Sequence, residues 1–155
     1  VSILFTLGKV CLRLQRFDEA QHHFEQCLQQ EPKHRGARFY LARTWIETKA
    51  FEKGLQALLD LESETQTDAE IIDLLFQKAR VLTLLQRMQE AENCYQQLMR
   101  LFPCEAVCVN YGNLCLILQQ TEKAQRLFQQ ALGYNAASKE AKHGLQLALT
   151  ATSQA

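Results

Sequence analysis

Cys104, Cys108 and Cys115 fall at i, i+4 and i+11, on one helical face, where thiolates could in principle be presented to a metal. His22 and His23, with Glu25 two residues on, offer imidazole and carboxylate ligands, and Gly8-Lys9 has the look of a phosphate-loop ending. Each chemistry needs a context that this chain lacks. Adjacent histidines on a helix point about 100° apart and do not easily share one ion. Neither the earlier glycine nor the strand-to-helix setting of a phosphate loop precedes Gly8. No C-x-x-C pair, nucleophile elbow, Gly-rich dinucleotide turn or paired-carboxylate constellation occurs. Buried free cysteine packs as a small hydrophobe, so the cysteines read as core. The expectation is a segment with no catalytic residues, no metal and no cofactor.

The elements that would position any site are helices. Of 155 residues, 47% are hydrophobic and 22% charged, enough apolar material for one sizeable core. Only Pro32, Pro103 and six glycines interrupt a chain rich in Leu, Gln, Ala and Glu, which are good helix formers. Seventeen basic residues balance seventeen acidic ones, so no net field draws nucleic acid or an acidic membrane surface, and any electrostatic recognition is local. The apolar stretch from Val1 to Leu14 contains Lys9 and Arg13 and has no basic leader, unlike a signal peptide or a membrane span. Together with six cysteines in no disulfide pattern, this predicts a reducing, cytoplasmic setting. A start without Met suggests a processed chain or a piece of a longer one.

The sequence is self-similar. Leu7-Gly8, Ala20, Phe24 and Pro32 recur as Leu41-Ala42, Gly54 and Leu58, then as Ala79, Ala91, Tyr95 and Pro103, then as Gly112, Ala124 and Phe128. The small residue of the second helix returns after 34, 37 and 33 positions. In these residues the chain resembles the tetratricopeptide repeat family, whose motif sets a large residue at repeat position 4, leucine and a small residue at 7 and 8, then small, aromatic, small and proline at 20, 24, 27 and 32. The first repeat fills these slots with Leu4, Leu7, Gly8, Ala20, Phe24, Cys27 and Pro32, with Cys11 at the apolar slot 11. Departures are Arg38 and Gln66 in the second repeat, Lys78 for leucine in the third, and Ala136 for the closing proline of the fourth.

The resemblance covers residues 1 to 138 and implies an all-α, right-handed α-solenoid of about four helical hairpins plus a C-terminal capping helix. As a single domain over 1–155, its repeats would run 1–34, 35–68, 72–104 and 105–138, with the capping helix at 139–150. Small residues belong at 8, 20 and 27 because helices cross most closely there. Apolar spacing agrees: Leu4, Leu7, Cys11 and Leu14 share one stripe, as do Ala20, Phe24, Cys27 and Leu28. Asp18-Glu19 and Thr121-Glu122 are expected to cap second helices. Ser63 to Asp68 reads as a lengthened turn closed by a Thr67–Glu70 capping box. Ala141, Leu145 and Leu149 are expected to cover the last hairpin, leaving Thr150 to Ala155 frayed.

The resemblance also implies where function resides, on a concave face lined by repeat positions 2, 5, 9 and 12 of each first helix, a stripe pointing away from the core. Position 5 carries Phe5, Phe39, Phe76 and Val109; position 9 carries Lys9, Arg43, Arg80 and Asn113; position 12 carries Leu12, Ile46, Thr83 and Leu116. The partner-binding set is then Phe5, Lys9, Leu12, Phe39, Arg43, Ile46, Phe76, Arg80, Val109 and Asn113. Aromatics beside cations, with no acid in either column, suit a protein or peptide bearing apolar anchors and carboxylates. The alternative at position 5 is aromatic packing between hairpins. Neither the family's chaperone-tail clamp nor the position-6 asparagine ladder of its sugar-transferase arrays is present. A peptide-binding adaptor is the first expectation. A targeting domain of a larger enzyme is the second. The third is a self-assembling scaffold that stacks through an exposed Ile3 and Val10.

Overall fold

The computed structural model describes residues 1–64 and 67–153. Among the described residues there are nine helices and no strand: α1 (Ser2–Arg13), α2 (Phe17–Gln30), α3 (Arg35–Glu47), α4 (Phe51–Glu64), α5 (Asp68–Leu84), α6 (Met88–Leu101), α7 (Glu105–Ile117), α8 (Thr121–Tyr134) and α9 (Lys139–Ser153). The chain divides into two compact units, Val1–Leu85 with α1 to α5 and Gln86–Ala155 with α6 to α9.

In the first unit each helix packs on the next, and α3 also touches α1 and α5. The small residues do what close crossing demands. A methyl group built on Gly8 would lie 2.5 Å from the Phe24 ring, and one on Gly54 would lie 2.8 Å from Ile46 Cγ1. Phe24 is wholly buried with Ala20, Cys27, Ala37 and Cys11 around it. Its ring contributes roughly 2–3 kcal/mol of hydrophobic stabilisation. In the second unit α7 and α8 form the equivalent hairpin: Phe128 is wholly buried, and a methyl on Gly112 would meet it at 2.8 Å. Helices α6 and α9 pack on α7 and α8.

The hairpin turns repeat one device. Gln15, Lys49, Gln86 and Gln119 hold the same place in the repeat and all have positive φ, 59° to 68°. After the first helices the Arg16, Ala50 and Gln120 amides donate to the carbonyls of Cys11, Trp45 and Cys115. These 6→1 bonds satisfy carbonyls that the helix end would orphan. A left-handed residue other than glycine costs about 1–2 kcal/mol, which the turn's hydrogen bonds and the hairpin packing offset.

Several expected caps differ. Helices α2 and α8 begin after Arg16 and Gln120 without any side-chain cap, because Glu19 is drawn to Arg16 at 2.7 Å and Thr121 is already helical. Thr67 does cap α5, its Oγ1 accepting from the Glu70 amide at 3.4 Å, but the Glu70 carboxylate turns to Arg35 at 3.0 Å. Of the expected long turn, α4 takes up 63 and 64, while Thr65 and Gln66 lie outside the described residues. Helix α9 is longer than expected, running to Ser153, with Thr152 bonded by Gln125 at 2.8 Å. It buries Ala141, Gly144 and Ala148 and leaves Leu149 exposed, since only small residues fit where Phe128 lies within 2.4 Å of a methyl on Gly144.

Candidate functional site

Within the first unit an aromatic cluster builds the first-helix face. Phe5, one turn before Lys9, packs its ring 4.9 Å from His34, 5.7 Å from Tyr40 and 6.2 Å from Phe24. His34 is fixed in turn: its Nδ1 accepts from the Ala37 amide at 3.0 Å and so caps α3. Phe39 meets Tyr40 edge-on at 5.5 Å and lines a small cavity of about 150 Å³ with Leu61 and Leu74. Phe5, Phe39 and Phe76 are all half-buried, so the aromatic column is partly packing and partly surface.

Tyr40 organises the cations. Lys9 Nζ lies 5.8 Å from its ring centre and 4.8 Å from that of Phe5, and Arg43 Cζ lies 5.3 Å from Tyr40. These cation–π contacts hold the charges in place without neutralising them. Lys9, Arg13 and Arg43, with Leu12, Gln15, Phe17, Tyr40 and Glu47, line a cavity of about 460 Å³. Its one acid, Glu47, is engaged by Arg80 at 2.7 Å. Among the described residues no carboxylate reaches ion-pair distance of Lys9, Arg13 or Arg43, and Arg43 Nε is buried with no hydrogen-bond partner. An orphaned buried guanidinium N–H is costly and favours an incoming acceptor.

Not every expected site residue lies open. Ile46 is 2% exposed, because Gly54 leaves room for its side chain in the core. Val109, in the second unit, is 8% exposed and packs with Cys108, Ala131 and Ala141. For these two, the expectation of a stripe pointing away from the core is corrected. Asn113 is exposed. Arg80 is not a free cation, and its partner Glu47 sits at repeat position 13, outside the columns read from the sequence. Tyr40 and Arg13 were missed for the same reason: both belong to first helices but occupy positions 6 and 13. Aromatic type at 6 beside cations at 9 was the available signal.

The second unit holds a different charged group. Glu92 Oε1 accepts from Lys123 Nζ at 2.7 Å and from Tyr111 Oη at 3.0 Å, and Lys123 Nζ lies 4.9 Å from the Tyr111 ring centre. The Lys123 ammonium, aided by the Tyr111 hydroxyl, holds the Glu92 carboxyl below the usual carboxylate range, and Glu92 holds Lys123 above the usual lysine value. The three satisfy one another. Nearby, burial pushes the Cys115 thiol up to about 11 and raises Cys108, so both are inert thiols rather than thiolates. Cys108 Sγ rests 3.9 Å from Met99 Sδ. Among the described residues no three His, Cys, Asp or Glu side chains gather as a metal site would require, and no helix is long and apolar enough to cross a membrane.

Family models described as Tetratricopeptide repeat match residues 12–77, and 72–103 with 106–138. No curated protein matches. Among solved structures, a tetratricopeptide repeat protein from Parabacteroides merdae superposes with TM-score 0.82 at 18% identity, covering 99% of this chain. The chain spans only 60% of that protein's length. A MamA protein matches with TM-score 0.80 at 14% identity, over 98% of this chain and 82% of its own. YrrB, described as a TPR protein with an unusual peptide-binding site, matches with TM-score 0.73 at 10% identity, over 97% of this chain and 76% of its own. At these identities the likeness is one of fold.

Proposed function

Because the chain belongs to the tetratricopeptide repeat family, a protein–protein interaction fold that is generally non-catalytic, we propose that its first unit captures a segment of a partner protein across α1 and α3. The carrying observation is the cavity of about 460 Å³ in which Lys9 and Arg43 flank Tyr40 and Arg13 joins the lining, with no carboxylate paired to any of the three. Such a site takes an acidic side chain or a chain-terminal carboxylate. Half-buried Leu12 and Phe17 at its wall take an apolar neighbour of that acid. Phe39, with its own small cavity, offers a second apolar contact on α3.

This is adaptor chemistry: recognition of a short acidic and apolar protein segment, with no cofactor, nucleic acid or membrane insertion. Cys11, Cys27, Cys108 and Cys115 are buried thiols, which supports a reducing compartment such as the cytoplasm. That YrrB is described as having a peptide-binding site supports a peptide ligand for this fold.

Arg80 is a poor choice for disruption, because it is already engaged by Glu47 and an acid there would set two carboxylates face to face. The test is affinity capture from native lysate with the wild-type chain and a Lys9→Glu/Arg43→Glu variant matched in thermal stability. A partner retained only by the wild type supports the site and names the ligand. Identical captures would remove it.

A further inference from the structure

Resting on the groove reading above, we propose that the acid taken between Arg13 and Arg43 is a phosphomonoester, so that the partner segment binds with one of its side chains phosphorylated. A charge reversal within the repeat register points to it. Arg80 stands at position 9 of the third repeat and bonds Glu47, at position 13 of the second, at 2.7 Å. The same two positions one repeat earlier are Arg43 and Arg13. Both line the cavity of about 460 Å³, and neither has an ion-pair partner among the described residues. All four residues belong to the first unit. Where this register position is closed, one carboxylate answers one arginine; at Arg13 and Arg43 two cations stand with no answer.

A single carboxylate would neutralise only one of the two. A phosphomonoester carries about 1.5 to 2 negative charges near pH 7 and three acceptor oxygens, which suits two guanidinium forks at once. The donors are already in place. Arg43 Cζ is held 5.3 Å from the Tyr40 ring centre, its Nε is buried with no hydrogen-bond partner, and Lys9 and Gln15 line the same cavity. A buried N–H left unpaired is costly until an acceptor arrives. The volume falls in the ~300–1,000 Å³ range of sites that enclose small groups. It has room for a phosphorylated side chain and, against Leu12 and Phe17, an apolar neighbour. Those apolar walls favour a protein segment over a lipid headgroup, and seventeen basic against seventeen acidic residues give the chain no net field toward an anionic bilayer.

The test titrates the full chain with phenyl phosphate and, separately, with benzoate, following the Arg43 Nε–Hε signal by nuclear magnetic resonance. At about pH 7.5 phenyl phosphate should bind about tenfold more tightly than benzoate, and the advantage should shrink at about pH 5, below the second phosphate pKa of about 6. Arg13→Glu should fold, since it recreates the Glu47–Arg80 arrangement, and should lose the phenyl phosphate response. Arg13→Gln, which removes only the charge, should weaken that response should the new ion pair distort the turn. Partners captured from native lysate should be lost once the lysate is treated with phosphatase. Phenyl phosphate no tighter than benzoate, a partner still captured after phosphatase, or retention on phosphatidic acid vesicles in place of any protein would overturn the phosphorylated ligand while leaving the groove reading to its own test. If neither anion moves the Arg43 signal and Lys9→Glu/Arg43→Glu captures what the wild type captures, both readings fall.

Discussion

Two tyrosines in this chain carry cations over their rings, and the two surroundings differ. Around Tyr111 in the second unit, Lys123 is answered by Glu92, which also takes the tyrosine hydroxyl. Around Tyr40 in the first unit, Lys9 and Arg43 sit at similar ring distances with no acid opposite. Glu92 and Tyr111 are buried, whereas Tyr40 fronts an open cavity. A charge set that satisfies itself stabilises the hairpin. One left unsatisfied at a cavity keeps its interaction free energy for something that arrives later.

The largest expected effect on stability comes from unbalancing the satisfied group. Glu92→Ala leaves Lys123 and the Tyr111 hydroxyl without their acceptor, a loss of about 2 kcal/mol, or roughly 4–8 °C in melting temperature for a chain of this size. Calorimetry of the variant checks this, and binding through the first unit should be unchanged. A variant that melts like the wild type would mean that the Tyr111 group is not structural, and the contrast between the tyrosines would fall.

Next in size is a pH dependence of the same group. Glu92 has its folded pKa depressed, so its contribution is present above the unfolded carboxylate value and is lost as pH falls through the folded one. Lys123 has its folded pKa raised, so its contribution is complete below the unfolded lysine value and is lost as pH rises through the folded one. The stabilisation therefore spans the window from about pH 4.3 to about pH 10.4. Denaturant titrations at pH 3 and pH 7 should show a drop at the acid end that is smaller in Glu92→Gln. Equal drops in both proteins would assign the acid sensitivity elsewhere.

Much of the fold was legible because repeats write it several times. Gly8, Ala20, Gly54, Ala91, Gly112 and Ala124 are small for a reason that operates at every crossing, and the structure places Phe24 and Phe128 against two of these glycines. The stripe of Leu4, Leu7, Cys11 and Leu14 was less uniform than its spacing implied. Cys11 is buried toward α2, while Leu7 and Leu14 belong to the side that interior repeats cover with a preceding helix. The site was legible in part. Lys9 and Arg43 stood out as a column, but the burial of Ile46 depends on Gly54, that of Val109 on Ala131 and Ala141, and the pairing of Arg80 on Glu47 of the preceding first helix. These are contacts between elements, and one helix's pattern does not carry them.

The smallest expected effect concerns the turns that hold the first helices in register. Lys49→Gly relieves a left-handed residue and should stabilise the first unit by about 1 kcal/mol, read as a raised melting temperature. Gln119→Gly should do the same in the second unit. No gain in either would mean that side-chain contacts at these turns outweigh the backbone strain.

The contrast between the tyrosines is tested most directly by isothermal titration of the captured partner segment into three proteins: wild type, Lys9→Glu/Arg43→Glu and Lys123→Gln. The account predicts about a hundredfold loss of affinity for the double variant, on the order of 2.7 kcal/mol, and wild-type affinity for Lys123→Gln. Equal affinity in wild type and double variant, or a loss confined to Lys123→Gln, would contradict it.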